Sequence, residues 1–315
     1  MRKVALVDNP ASGQPSRRRK AIVSDTLAAL QQAGIEVDRY TIDGPGSGSR
    51  LARQAIENGC DAVLVCGGDG TVHEILQSLV GTNVALGVVP MGTANALASD
   101  LGLPRSAAKA IGKLLQAQPI PVPVGRITFR AEDGSEQSRY FTVAAGIGAD
   151  ALLMARMDPT LKRRFGYFLY LVEAFRIWVS HPFPLFQINF VNGGGIAREE
   201  HASQLLAVRV RSFGGVLGRF APGASVHSHS LALVAFKTRS RLRYMRFLLA
   251  VVASRHTFSR DVELIATDSV ECRSANGSST RVYVEADGEV LGHLPVRIEV
   301  AEETLTLLVP PNAQP

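Results

Sequence analysis

Two short polar turns, each placed after an apolar run and before a helical pattern, carry residue types that bind phosphate. The first is Gly67-Gly68-Asp69-Gly70-Thr71. It follows the short, partly β-branched run Ala62 to Cys66 and precedes Val72, Ile75, Leu76 and Leu79 at helical spacing. The second is Pro90-Met91-Gly92-Thr93-Ala94-Asn95, after the run Ala85 to Val89. Glycines let main-chain N–H groups approach an anion closely, and a helix N-terminus adds partial positive charge. Asp69 repels a bare phosphate, but it suits the place if Mg²⁺ lies between carboxylate and phosphate. One such turn alone is more simply a tight turn whose Asp or Thr caps a helix. Two of them at one sheet edge favour a nucleotide site.

The elements that must position these turns alternate between strand and helix. Val4 to Val7 reads as a strand, Asn9-Pro10-Ala11-Ser12-Gly13 as a turn-rich loop, and Ser16 to Ala33 as a helix stopped by Gly34. A second strand, Val37 to Ile42, leads through the Gly- and Ser-rich loop Asp43 to Ser49 into a short helix and the third strand. Such alternation predicts a doubly wound α/β domain with a parallel sheet. Its ligand edge gathers Asn9 to Gly13, Thr41, Gly67 to Thr71 and Thr93.

Beyond Pro119-Ile120-Pro121-Val122-Pro123 the texture changes, and the domain boundary is predicted near Val124. The spacing gives domains of 1–124 and 125–315. Strands are predicted at Arg126 to Ala131, Tyr140 to Ala145 (with Asp133-Gly134 as the hairpin turn), Phe186 to Val191, Leu205 to Val210 and Leu231 to Phe236. Closing strands follow at Val262 to Ile265, Arg281 to Ala286, Val296 to Val300 and Thr304 to Val309. An aromatic helix, Gly166 to Val179, and a basic one, about Ser240 to Ser254, interrupt this mostly β domain, which reads as an antiparallel sandwich.

GGDGT before a helix, followed by P-x-G-T-x-N at this spacing, resembles the catalytic domain of the diacylglycerol kinase family. It is most similar to bacterial soluble lipid kinases that share this domain with sphingosine and ceramide kinases. The resemblance covers nearly the whole chain. It implies ATP binding by Asn9, Pro10, Ala11, Ser12, Gly13, Thr41, Gly67, Gly68, Asp69, Gly70, Thr71, Glu74, Thr93 and Asn95, with Asp69 facing the metal of Mg-ATP. It also implies an active site in the cleft between the two domains.

Near the C-terminus, Asp287-Gly288 reads by pattern as a hairpin turn. Phosphoryl transfer to a hydroxyl needs a carboxylate near the attacking oxygen. Asp287-Gly288-Glu289 resembles the family's DGE motif, which implies Glu289 as general base and Asp287 as an orienting or metal-facing partner. Phe213-Gly214-Gly215 and Ala221-Pro222-Gly223-Ala224 match the family's GG…P-x-A segment. There the family carries an Asp-Gly pair that helps hold a second, structural Mg²⁺. Here the positions read His227-Ser228-His229-Ser230, which puts that second metal in doubt. Asn95-Ala96-Leu97-Ala98 stands where many diacylglycerol kinases have Asn-Asp, so the acceptor stays open.

Composition sets limits on partners. A net charge of +6 favours anionic ones: nucleotide, acidic membrane surface or nucleic acid. Basic runs at Arg17 to Lys20 and at Arg239, Arg241, Arg243 and Arg246 are most simply solvated helix faces. The second run, beside Tyr244, Met245, Phe247 and Leu248, also suits an anionic leaflet. Three cysteines without metal spacing (Cys60, Cys66 and Cys272) fit a reducing compartment. The apolar run after Arg2 and Lys3 ends at Asp8, too short for a signal peptide. Phe165 to Val179 contains Glu173 and Arg176 and is too short to span a bilayer. No Walker A lysine motif is present, and Pro310 to Pro315 reads as a disordered tail.

The expectation is a cytoplasmic ATP-dependent kinase with Mg²⁺ as cofactor, acting on a diacylglycerol-like lipid, with ceramide or a sphingoid base next. Its partners are ATP and a lipid at the membrane surface, not nucleic acid; peripheral membrane contact and a homodimer stay open. The alternatives are an NAD kinase, which shares GGDGT, and a catalytically impaired nucleotide- or lipid-binding regulator.

Overall fold

The computed structural model describes residues 1–12, 15–131, 133–157, 167–191, 195–213, 221, 223–252, 261–275 and 280–313. The chain forms two compact units. The first comprises Met1–Val124, Ser212–Gly215 and Ala301–Pro315, and the second Gly125–Arg211 and Val216–Val300.

In the first unit, β1 (Lys3–Asp8), α1 (Ser16–Gln32), β2 (Glu36–Thr41), α2 (Ser47–Glu57), β3 (Ala62–Gly67), α3 (Asp69–Leu79) and β4 (Ala85–Pro90) alternate as the sequence pattern requires. Two shorter helices, α4 (Ala96–Asp100) and α5 (Ala107–Leu114), follow. The strands pair in parallel in the order β2-β1-β3-β4. Every residue of β3 and β4 is buried, which explains their unbroken apolar runs. Helix α2 packs on α3, and α1 on α5. Helix α3 begins at Asp69 rather than Val72, because Thr71 and Val72 already donate to the Gly68 carbonyl at 3.0 and 3.2 Å.

The second unit is a sandwich of two antiparallel sheets. β5 (Gln118–Arg130) contributes residues 125–130 to a hairpin with β6 (Glu136–Phe141). After β7 (Ala144–Ile147) come α6 (Ala149–Arg156), α7 (Tyr167–Ser180), β8 (Phe186–Val191), β9 (Ala197–Ala202), β10 (Gln204–Val208), β11 (Leu231–Phe236) and α8 (Arg241–Val252). The chain closes with β12 (Val262–Thr267), β13 (Ser269–Ser274), β14 (Tyr283–Ala286), β15 (Glu289–His293) and β16 (Val296–Val309). One sheet runs β12-β11-β10-β7-β14-β15, and the other joins residues 296–299 of β16 to β13, β8 and β9. Phe186, Ile188, Val270 and Ile298 of one sheet and Ala145, Leu205, Leu233 and Val284 of the other share one core.

Several expectations need correction. The proline-rich stretch Pro119 to Pro123 is part of β5. Tyr140 to Ala145 is not one strand: pairing stops after Phe141 and resumes at Ala144, because the N–H groups of Thr142, Val143 and Ala144 bond to a carboxylate. Val296 to Val309 is one strand where two were expected. Its residues from Ala301 onward belong to the first unit, although the spacing assigned them to the second domain. There Leu307 pairs with Leu86, and Leu305, Leu307, Leu308 and Val309 are buried. The tail expected to be disordered forms a 3-10 turn at Pro311–Ala313. The expected helix ends at Gly166 and Ser254 lie outside the described residues.

Candidate functional site

The loops predicted to bind nucleotide leave one edge of the first unit's sheet. Asp8 is opposite both Thr41 and Cys66, and Gly67 is opposite Pro90, so β1 to β4 end level with one another. Asn9 then ties two loops together. Its Nδ2 donates to Thr71 Oγ1 at 2.7 Å, and its Oδ1 accepts the Ala11 N–H at 2.8 Å.

The two glycine turns touch through their backbones. A Cβ on Gly92 would lie 2.7 Å from the Gly68 Cα, and one on Gly67 would lie 2.9 Å from the Thr71 side chain. Only glycine fits there. Asn95, in the left-handed region at φ 50°, closes its own turn by accepting the Gly92 N–H at 2.8 Å and donating to the Gly92 carbonyl at 2.7 Å. Asp69 crosses from the first turn to the second: its Oδ2 accepts the Asn95 N–H at 2.9 Å and its Oδ1 the Ala96 N–H at 2.8 Å. Glu74 does similar work behind α3, with Oε2 accepting the Gly48 N–H at 3.0 Å in the first turn of α2.

The predicted nucleotide residues therefore divide into two kinds. Asn9, Asp69, Thr71, Glu74 and Asn95 build the loops, and Gly67, Gly68 and Gly92 permit their close approach. Pro10, Ala11, Thr41, Gly70 and Thr93 are exposed along the edge. Ser12 keeps its hydroxyl buried and without a hydrogen-bond partner among the described residues, and Gly13 lies outside them. Asp8 is a residue the motifs did not mark. Its Oδ1 is also buried without such a partner, and burial pushes its carboxyl up against the pull of Arg19 and Arg39.

In the second unit, Asp287 and Gly288 form the tight turn between β14 and β15. Both have positive φ, 48° and 87°, as a two-residue Asp-Gly hairpin demands. The Asp287 carboxylate accepts the N–H groups of Thr142 at 2.9 Å, Val143 at 2.9 Å and Ala144 at 3.0 Å, and the Thr142 hydroxyl at 3.3 Å. Its own N–H donates to the Ala144 carbonyl at 2.9 Å. Glu289, at the start of β15, is exposed.

Beneath this turn lies a carboxyl pair that no motif announced. Glu285 Oε2 accepts the Gly288 N–H at 2.6 Å. A Cβ on Gly146 would strike both Glu285 Oε1 and Asp150 Oδ2, so the two carboxyl groups flank that glycine. Both Asp150 oxygens are buried, and burial pushes its carboxyl up to about 7. Nothing in the sequence set Asp150 apart: it is an acid in the first turn of a short helix that ends in Arg156.

Metal ligands are sparse. Among the described residues, no group of three or more His, Cys, Asp or Glu is placed to hold a metal ion. Asp69 already gives both oxygens to N–H groups, so it suits a metal that arrives with the nucleotide's phosphates rather than a resident ion. At His227 to Ser230 no carboxylate is present, and the Ser228 and Ser230 hydroxyls bond to each other at 3.0 Å. These residues do not fit a structural Mg²⁺. Gly214, Gly215 and Pro222 of the preceding segment lie outside the described residues.

Comparison with known proteins finds a family match for each half of the sequence. Residues 3–127 match the diacylglycerol kinase catalytic domain, and residues 141–309 match the YegS C-terminal NAD kinase beta sandwich-like domain. A diacylglycerol kinase of Mycobacterium tuberculosis is 28% identical over 316 residues, covering 98% of this chain and 95% of the relative. One from Bacillus subtilis is 24% identical, covering 94% and 92%. Among solved structures, a diacylglycerol kinase from Bacillus anthracis superposes with a TM-score of 0.69 at 18% identity, covering 99% of this chain and 98% of that one. Yeast NADH kinase, solved with NADH, gives 0.51 at 13% identity, covering 98% and 83%, and shows the shared fold alone. No helix among the described residues is long and apolar enough to cross a membrane. With both units matched, the chain belongs to the diacylglycerol kinase catalytic-domain family, a family of lipid kinases.

Proposed function

We propose that this protein is an ATP-dependent lipid kinase, transferring the γ-phosphoryl group of ATP to the hydroxyl of a diacylglycerol-like acceptor. The observation that carries the reading is the Asp287-Glu289 turn. Four hydrogen bonds fix Asp287, and an exposed carboxylate follows two residues later. Glu289 accepts the proton of the acceptor hydroxyl as the oxygen attacks the γ-phosphorus and the bond to the bridging oxygen breaks. Asp287 orients the turn.

The exposed residues of the first unit's edge, Pro10, Ala11, Thr41, Gly70 and Thr93, contact the nucleotide with the loop residues behind them. Mg²⁺, when bound with ATP, neutralises charge on the β- and γ-phosphates, and Asp69 is the residue that would face it. Product of this kind, a phosphorylated glycerolipid, feeds phospholipid synthesis.

The test is transfer of labelled γ-phosphate from ATP to diacylglycerol, monoacylglycerol, ceramide, sphingosine and phosphatidylglycerol in mixed micelles. A single labelled lipid, lost in Asp69→Ala and Glu289→Gln, is the expected result. Label appearing on NAD in a lipid-free assay would instead favour the NAD kinase reading, behind which stands the shared fold. Bound ATP with no labelled product would favour a regulator.

A further inference from the structure

The segment from Val226 to Ser230 is organised around a positive charge of the protein's own. Arg209 follows β10, is 1% exposed, and heads the largest fully buried side chains among the described residues. Its Nη2 donates to the carbonyl of Ser228 at 2.7 Å and of Val226 at 3.3 Å, and its Nη1 to that of Ser230 at 3.4 Å. Alternate carbonyls of a segment without regular secondary structure thus converge on one guanidinium.

Convergent main-chain carbonyls are also how proteins hold a hard cation such as Mg²⁺ or Ca²⁺. Here that arrangement is already occupied. A divalent ion would compete with the guanidinium for the same oxygens and would meet a buried like charge. The segment has no carboxylate to tip the balance, since it reads His227-Ser228-His229-Ser230. Burial pushes the Arg209 guanidinium down to about 10, which leaves it charged at neutral pH.

We propose that Arg209 is the built-in structural cation of the second unit, its guanidinium filling the carbonyl cage in place of the structural Mg²⁺ that the family resemblance implies. The β-sandwich of this chain then holds Val226 to Ser230 without bound metal. The link to the carboxylate turn is short. The Arg209 N–H donates to the Val143 carbonyl at 2.9 Å, and the Val143 N–H donates to Asp287 Oδ1 at 2.9 Å. The inference goes beyond the proposed reaction and does not depend on it.

Amide hydrogen exchange on the full chain, followed at residues 224–230, tests it. In the wild type, protection there is expected to be the same in millimolar Mg²⁺ and in EDTA. Arg209→Met should lower protection by about tenfold or more, and Arg209→Lys, a point charge without the planar fork, should recover part of it. Adding Ser228→Asp to Arg209→Met should make protection depend on Mg²⁺. A wild-type segment that loses protection in EDTA and regains it with Mg²⁺ overturns the proposal, as does an Arg209→Met segment that stays protected. Should Arg209→Met not fold, the wild-type comparison alone decides.

Discussion

Asp69 caps a helix that belongs to the other glycine turn: its Oδ2 accepts the Asn95 N–H at 2.9 Å and its Oδ1 the Ala96 N–H at 2.8 Å. Asn95 in turn closes the Gly92 loop with its own side chain. One carboxylate therefore fixes the spacing of the two glycine turns.

Removing that carboxylate should harm both stability and turnover. Asp69→Ala leaves two helix-terminal donors unsatisfied, a loss of about 1–3 kcal/mol by denaturant melting. Turnover should fall by about a hundredfold or more. Asp69→Asn separates the two duties, because it retains one acceptor but no charge. It should lose less stability than Asp69→Ala yet need more Mg²⁺ for half-maximal rate. An unchanged Mg²⁺ requirement would mean that Asp69 is only a cap.

Asp287 and Glu289 should separate in the opposite sense. Glu289→Gln, at an exposed position, should leave the melting temperature nearly unchanged while turnover falls by about 10²–10⁴-fold. Asp287→Asn should lower stability by about 1–3 kcal/mol, because a neutral amide cannot accept every N–H now bonded to the carboxylate. Melting curves beside label-transfer rates check both. Equal stability losses in the two variants would contradict the assignment of roles.

The buried Asp150 carboxyl gives stability a pH dependence of defined sign. Burial raises it from an ordinary 3.8 to about 7, and the N–H groups of Asp150 and Ala151 offset this only in part. The folded state therefore holds this proton where the unfolded chain has released it. The contribution of Asp150 to stability is full below pH 3.8, declines as pH rises, and levels out above about 7. Asp150→Asn should gain melting temperature relative to wild type across that window and keep a constant advantage above it. A difference that does not vary with pH would show that Asp150 does not titrate there.

Membrane contact should depend on a face of α7 and α8. Phe175, Val179 and Leu242 are 60%, 47% and 70% exposed, beside the exposed Arg241 and Arg246. Trp178 fastens the two helices through its Nε1 bond to the Arg241 carbonyl at 2.9 Å. Apolar side chains flanked by arginine suit an anionic leaflet. Sedimentation with phosphatidylglycerol vesicles should exceed that with neutral ones and weaken with salt. The double variant Phe175→Ser, Leu242→Ser should reduce it by about tenfold. Equal sedimentation of variant and wild type would rule out this face.

Much of the first unit was legible because local signals agreed with one another. Apolar runs marked β3 and β4, and the glycines marked the turns that touch at Gly68 and Gly92. The second unit was harder to read. Strand β9 carries polar and charged residues with no clean alternation, β13 buries only Val270 and Cys272, and β15 holds no fully buried side chain. The stop between β6 and β7 depends on Asp287, about 145 residues away along the chain. Asp150 and Arg209 were likewise invisible: a lone acid or arginine becomes informative only when its burial is known.

Strand β16 has a consequence for how the chain matures. Residues 301–309 complete the sheet edge beside β4, with Gly81 donating to the Thr304 carbonyl at 2.9 Å. A ribosome making this protein delivers those residues only after the whole sandwich has emerged. Until then β4 is an unfinished, apolar edge, open to pairing with another chain. The first unit, whose synthesis begins the chain, is therefore the last to be completed, and a fragment ending at Val124 should aggregate unless a peptide spanning 301–313 is supplied with it.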